Sequence, residues 1–101
     1  MTHTITTEER ESGGSYESVF ATVDITSLDN ANTEAFDPAD ELSLRTVEGV
    51  AVLGLENPGS YQVAYDSGGA TLSVLNTDGT DPTSGTDVGE VVVRVDGNRG
   101  P

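Results

Sequence analysis

Strict alternation of apolar and other residues is the feature of this sequence that most limits its fold. Between Val19 and Ile25 the chain alternates Val, Ala, Val and Ile with Phe20 and polar residues, and valines alternate again in VGEVVVRV at 88–95. A period of two places every second side chain on the same face of a β-strand. Most of these residues are β-branched, which favours strands further. The chain is therefore predicted to be built from strands.

The middle of the chain adds one strand and one helical turn to this prediction. The run VEGVAVLGL at 47–55 is apolar on both faces apart from Glu48, which is typical of a central strand covered on each side. Before it, Asp37 is suited to cap a helix and Pro38 to occupy its first position. No helical period of apolar residues continues past Leu44, so we expect at most one helical turn.

A hairpin and a long loop complete the core of the chain. Residues 61–65 and 71–75 alternate and are separated by the turn sequence DSGG, which predicts a β-hairpin with Leu72 and Val74 facing inward. The following segment, 77–87, contains no strong hydrophobe and is predicted to be an exposed loop.

The chain divides into three parts. Residues 1–17 contain one strong hydrophobe, Ile5, and are interpreted as an extended arm that is either mobile or laid against a neighbouring subunit. Residues 18–95 form the β domain, and 96–101 form a flexible tail. The predicted fold class is a small single-domain all-β sandwich or barrel of about five antiparallel strands, or about six if the arm pairs. Strand order does not follow from strand number, so sandwich and barrel both stay open.

The charge is extreme for a chain of this size. Among 101 residues there are 18 acids and four basic residues, all arginine, which gives a net charge of −14. Such a surface repels nucleic acids and anionic membranes, so neither is an expected partner. In molar salt the Debye length falls to about 3 Å, which makes crowded carboxylates tolerable. We therefore interpret the composition as halophilic and expect folding to depend on salt.

Other classes of protein are excluded by what the sequence lacks. It contains no cysteine, which excludes disulfides, thiolate catalysis and cysteine-ligated zinc. No segment approaches the ~20 apolar residues of a membrane span, and the N-terminus does not resemble a signal peptide. The protein is expected to be soluble and not exported by the general route.

No catalytic constellation is predicted. The single histidine, His3, lies in the arm, where the sequence suggests no framework to hold it in a triad or a metal site. The carboxylate pairs Asp37 with Asp40 and Asp78 with Asp81 lie in loops, and such pairs arise by chance among so many acids. We predict no catalytic, cofactor-binding or metal-binding residues, and no cofactor.

The loop at 78–87 raises the question of calcium, because oxygen ligands around a glycine suit a hard cation. Its spacing does not match the twelve-residue calcium loop, since Gly79 follows Asp78 directly. A β-turn whose Asp and Gly residues serve the backbone is favoured. Cation binding by this loop stays open.

The order of these segments resembles a family of small structural proteins of tailed viruses, in its haloarchaeal-virus branch. The resemblance covers most of residues 17–95 and is most specific from Tyr61 to Val95, where Tyr65-Asp66 and Gly85-Thr86-Asp87 match the family pattern. Genes of this family commonly lie beside that of the major capsid protein. The segments that carry the resemblance are VFATVDIT, FDPADEL, VEGVAVLGL, YQVAYDSGGATLSVLNTDGT and GTDVGEVVVRV.

The resemblance implies a non-enzymatic virion protein that decorates or cements the capsid, assembles in the host cytoplasm and binds the major capsid protein. It implies a homo-oligomer, for which we expect a trimer. If the arm docks, the expected interface anchors are Ile5, Arg10 and Tyr16. One alternative is a turret, head-completion or tail component of the same virion. A cellular calcium- or glycan-binding β-sandwich module is the other. The partner surface and copy number stay open.

Overall fold

Each alternating strand gives its sheet one apolar face, and in the computed structural model of this chain two such faces pack together. The structure describes residues 2–13 and 16–98. The predicted all-β fold with one helical turn is confirmed, with the sheets arranged as a β-sandwich. The elements are β1 (His3–Gly13), β2 (Tyr16–Ile25), β3 (Thr33–Ala35), α1 (Pro38–Glu41), β4 (Thr46–Leu55), β5 (Tyr61–Asp66), β6 (Thr71–Asn76) and β7 (Gly89–Asn98).

The sandwich consists of a four-stranded sheet and a three-stranded sheet, both antiparallel. Their strand orders are β1-β2-β7-β4 and β3-β6-β5. The core lies between them, where the alternating residues of β2 and β7 meet Leu72 and Val74 of β6, all of them buried. Phe36 is also fully buried and packs edge-on against Tyr65, with ring centroids 6.4 Å apart. The inward orientation predicted for Leu72 and Val74 is therefore confirmed.

The prediction that 47–55 is a central strand covered on both faces is wrong. Strand β4 pairs only with β7 and lies at the edge of its sheet. Its register shifts between Val47 and Gly49 and again between Val52 and Gly54. These two bulges each insert one residue and so change the phase of the alternation. The apolar run therefore directs most of its large side chains inward and leaves Leu53 54% exposed.

Most of the segment predicted as an arm, 1–17, belongs to the four-stranded sheet. Residues 3–13 form β1, which pairs antiparallel with β2 of the same chain along its whole length. Backbone hydrogen bonds and polar side chains make this pairing, so a search for apolar residues does not detect it. Met1, Gly14 and Ser15 lie outside the described residues.

The ends of the other predicted segments also differ from expectation. The predicted tail begins inside β7, which continues to Asn98, and 99–101 lie outside the described residues. The predicted helical turn is confirmed as α1, with Asp37 at its N-cap and Pro38 at its start. There the Asp37 amide donates to Oε2 of Glu41 at 2.9 Å. No helix in the described part of the chain is long and apolar enough to cross a membrane.

Candidate functional site

His3 lies between two carboxylates on different elements. Its Nδ1 is 2.5 Å from Oε2 of Glu34 on β3, and its Nε2 is 2.5 Å from Oε1 of Glu41 on α1. The Phe36 ring packs edge-on against the imidazole, with centroids 6.0 Å apart. The histidine is 6% exposed. The start of β1 is thereby fastened to both the second sheet and the helix.

Glu34 faces the space between the sheets and is fully buried. Its cross-strand partner is the core residue Leu72, so the pleat of β3 directs this carboxylate inward. Besides the His3 contact, Oε2 accepts a hydrogen bond from the Thr2 hydroxyl, and Oε1 accepts one from the Asp29 amide at 2.8 Å. A buried carboxylate is costly unless it is paired and hydrogen-bonded, and these donors meet that requirement.

The sequence suggested no framework to hold His3 in a triad or a metal site; in the structure its ring is held between Glu34 and Glu41. Burial by itself lowers the pKa of His3, but the hydrogen bonds that its ring donates to Glu41 and Glu34, together with their negative charges, raise that pKa above its usual value. The two carboxylates lie on opposite nitrogens of the ring and do not converge on one point. Among the described residues, no group of three or more His, Cys, Asp and Glu side chains is arranged to hold a metal ion.

A second polar cluster holds the other half of β1. Arg10 Nη1 donates to Oε2 of Glu17 at 2.5 Å, Nη2 donates to the Leu42 carbonyl, and Nε donates to Oε2 of Glu8 at 3.0 Å. Ser12 adds a hydroxyl donor to Oε1 of Glu17 at 2.9 Å. The guanidinium thus joins β1 to β2 and to the chain that follows α1.

A bulge separates the two polar clusters of β1. Ile5 pairs with Val23 and Thr7 pairs with Thr22, so Thr6 is the inserted residue. Paired residues of neighbouring strands share a face. Before the bulge, His3 and Ile5 lie on the core side of the sheet, and after it Arg10 lies on that side, opposite Val19. The bulge at Thr6 therefore lets odd-numbered residues before it and even-numbered residues after it face the core.

The three residues predicted as interface anchors do not lie on one surface. Ile5 packs against the core, and Arg10 is engaged within the chain. Tyr16 lies on the opposite side of the sheet and is 47% exposed. Its hydroxyl donates to Oδ1 of Asp96 at 3.0 Å. Hydrogen bonding by Ser18 outweighs partial burial and, with Tyr16 and Arg94, lowers the pKa of Asp96, so Tyr16 is held beside an ionised carboxylate.

The solvent-facing side of the four-stranded sheet, here called the outer face, is a candidate contact surface. The exposed large hydrophobic residues of the described chain are Tyr16, Leu53 and Val92, and all three lie on strands of this sheet. Phe20 is also on the outer face, half-buried, with the Arg94 guanidinium 5.8 Å from its ring centroid. Acidic residues surround these side chains, among them Glu9, Glu11, Asp24 and Glu90.

A cleft between β4 and β5 is lined by Val47, Glu48, Gly49, Val50, Tyr65 and Ser67. Its volume of about 340 Å³ is at the lower end of the range for small-molecule sites. Burial raises the pKa of Tyr65, and the nearby carboxylates of Asp37 and Asp66 add to that shift. The Tyr65 phenol and the aliphatic side chains provide a partly apolar wall, and Glu48 and Ser67 add polar groups to it.

In the loop at 78–87, the Asp78 carboxylate stabilises the backbone turn. Asp78 Oδ1 accepts hydrogen bonds from the amide of Thr80 at 3.0 Å and from its hydroxyl at 2.5 Å. These bonds lower the pKa of Asp78, the side-chain bond most strongly. Gly79 has a φ of +88°, which favours glycine, and Asp81 accepts from Asn32 at 3.2 Å. This arrangement is the turn geometry that the sequence favoured over a calcium loop.

Comparisons with known proteins leave the site to be interpreted from its own geometry. No protein-family model, curated protein or solved structure matches this chain.

Sequence reasoning missed Glu34 and Glu41 as partners of His3. The only local signal was the alternation of β3, in which Glu34 occupies an inward position between Thr33 and Ala35. Three residues are too few to establish a strand phase. The outer face was missed for a different reason, because the exposure of Leu53 depends on a bulge in β4.

Proposed function

We propose that this protein is a virion structural protein, a decoration or cement subunit on the outer surface of the head of a tailed haloarchaeal virus. The observation that carries the proposal is the outer face, where Tyr16, Leu53 and Val92 are exposed on one four-stranded sheet. Exposed apolar side chains within a polar rim are typical of protein–protein contact surfaces. The resemblance of most of residues 17–95 to virion structural proteins supports the major capsid protein as the partner.

The charges around the outer face favour a different protein over a second copy as the main partner. Two copies would bring Glu9, Glu11, Asp24 and Glu90 against the same acids, in a chain whose net charge is −14. Like charges across an interface are costly, whereas a basic rim on the partner complements them. We therefore propose that the capsid surface presents apolar side chains bordered by arginine or lysine.

A structural role agrees with how the chain uses its polar groups. His3, Glu34 and Arg10 are engaged in contacts that join strands, and the Asp78 carboxylate stabilises a turn. Each of these groups stabilises the fold instead of lining the cleft between β4 and β5. A turret, head-completion or tail position in the same virion would use the same face at lower copy number. A calcium- or glycan-binding module would instead show ligand-dependent stabilisation of the isolated protein.

The test is binding of recombinant protein to particles assembled without it, measured in molar KCl. The variant Leu53→Glu with Val92→Glu adds two charges to the outer face. The matched control, Gln62→Glu with Ala64→Glu, adds two charges at exposed positions on the solvent side of the three-stranded sheet. We expect the outer-face variant to bind at least about tenfold more weakly and the control to bind like the wild type.

The outcomes distinguish an error in the proposed function from an error in the proposed contact surface. Failure of the wild-type protein to bind such particles would contradict a role in capsid decoration. Equal binding by both variants would keep that role and contradict the outer face as its contact surface. Circular dichroism of each variant shows whether it is folded before binding is compared.

A further inference from the structure

The two halves of β1 are held by groups of different chemistry. The first half, residues 3–5, is fastened by the His3 imidazole, and the second half, residues 7–13, is fastened by the Arg10 guanidinium. Arginine stays protonated throughout the range in which proteins are folded, whereas histidine titrates near neutral pH. The bulge at Thr6 lies between the two halves.

We propose that His3 is a proton-dependent clasp, and that loss of its proton detaches the first half of β1 from the sandwich while the second half stays paired. A protonated imidazole donates from both nitrogens, one to Glu34 and one to Glu41, each at 2.5 Å. A neutral ring has one donor and one lone pair. At that separation the lone pair faces a carboxylate oxygen, so one of the two contacts becomes repulsive.

Loss of the His3 proton is costly because it leaves the Glu34 carboxylate without a cationic partner. Its side chain is fully buried, and protonated His3 is its cationic partner. The Thr2 hydroxyl and the Asp29 amide still donate to it, but neither carries charge. A buried carboxylate without a counter-charge is strongly disfavoured. Detachment of residues 3–5 lets water reach Glu34 and relieves this cost.

The groups that face the ring come from three elements. Glu34 lies on β3 and Glu41 on α1, and β2 contributes the aliphatic Ile25 opposite His3. Asp24 of β2 pairs with Thr4 and lies on the other side of the sheet. The ring therefore responds to two carboxylates, and both favour its protonated form. The raised pKa of His3 agrees with this geometry.

Besides its backbone pairing with residues 23–25 of β2, which detachment would break, the first half of β1 makes few other contacts. Ile5 packs at the border of the core, and the Thr2 carbonyl accepts a backbone hydrogen bond from Ser27 at 3.1 Å. Thr4 is exposed. Detachment would free Ile5 and uncover the edge of β2 beside Val23. This pH-dependent detachment does not depend on the proposed role in the capsid, because it is a property of the isolated chain.

The test is amide hydrogen exchange of the isolated full-length protein in molar KCl, from pH 5.5 to 9, with rates expressed as protection factors. We expect protection at residues 3–5 to fall at least about tenfold as pH rises through the pKa of His3, measured by NMR of its ring. Protection at residues 8–12 should change less than about twofold and serves as the internal control.

Two variants make the result specific to the clasp. His3→Gln should leave residues 3–5 weakly protected at every pH, while Glu41→Gln, at a half-exposed position, should lower the pKa of His3 and move the transition to lower pH. Equal protection of residues 3–5 across the titration of His3 in the wild type would overturn the proposal. So would a parallel loss of protection in both halves of β1, or a pH-dependent loss that persists in His3→Gln.

Discussion

The two sheets of the sandwich are joined by different kinds of contact at its two lateral edges. At the edge formed by β1 and β3, charged side chains cross from one sheet to the other, above all His3 to Glu34. At the edge formed by β4 and β5, aliphatic and aromatic side chains are half-buried and border a cleft. One edge is therefore held by hydrogen-bonded charges and the other by apolar burial.

This difference explains how a chain with 34% hydrophobic residues forms a folded domain. The central strands β2 and β7 direct alternate side chains inward, and these are fully buried: Val19, Val23, Ile25, Val91, Val93 and Val95. The outermost strand β1 has a single strong hydrophobe, and buried ionic contacts supply its tertiary anchoring. The polar edge should respond to pH and to loss of single charges, and the apolar edge should not.

The largest expected effect comes from Glu34→Ala, which leaves buried His3 without its fully buried counter-charge. Removal of one partner of a buried ion pair costs about 3–5 kcal/mol of unfolding free energy. Denaturant unfolding in high salt measures this loss. In a double-mutant cycle, His3→Ala should cost clearly less in the Glu34→Ala background than alone. Strict additivity of the two substitutions would contradict the coupling.

A smaller loss is expected for Arg10→Ala at the same edge. Glu17 has a side-chain exposure of 5%, so removal of its guanidinium donor leaves a poorly solvated carboxylate. We expect about 1–3 kcal/mol of destabilisation. Arg10→Lys keeps the charge but cannot bridge Glu17 and the Leu42 carbonyl together, so it should recover only part of the loss. Full recovery by lysine would show that charge alone holds this half of β1.

Salt should act on the whole surface. Screening of 18 carboxylates between 0.1 M and 3 M KCl is expected to raise the midpoint of thermal unfolding by about 5 °C or more. The buried pair His3–Glu34 is screened less than exposed charges, so the cost of Glu34→Ala should persist at high salt. An unchanged midpoint across this range would contradict the halophilic interpretation.

The smallest expected effect is a difference in how stability at the two edges depends on pH. Because the folded-state pKa of His3 is raised, its contribution to stability is complete below the unfolded pKa of about 6.5 and is lost as pH rises through the higher folded value. Val50→Ala at the apolar edge should cost about 1 kcal/mol. Unfolding at pH 6 and pH 9 should show a constant cost for Val50→Ala and a pH-dependent one for His3→Gln. Equal pH dependence of both would contradict the distinction.

The strands that follow the period of two could be predicted from the sequence. Alternation identified β2, the hairpin of β5 with β6, and β7, because each buries one apolar face. The pair Asp37-Pro38 identified the start of α1. These features depend on neighbouring residues, and local chemistry is sufficient to define them.

The features that the sequence did not reveal depend on distant contacts or on bulges. His3 and Glu34 are 31 positions apart, so no local pattern reports their pairing. Strand β4 appears central from its composition, but its two bulges and its pairing with β7 alone place it at an edge. The outer face combines residues from β2, β4 and β7, and only the register brings them together.

The most direct test of the central proposal is the copy number of this protein in virions. Quantitative mass spectrometry of particles purified in high salt, scaled to the major capsid protein, gives that number. We predict a ratio near one to one, or one trimer at each local three-fold position. A ratio of a few per cent would contradict shell-wide decoration and favour a turret or tail position, and absence from the particles would contradict a virion role altogether.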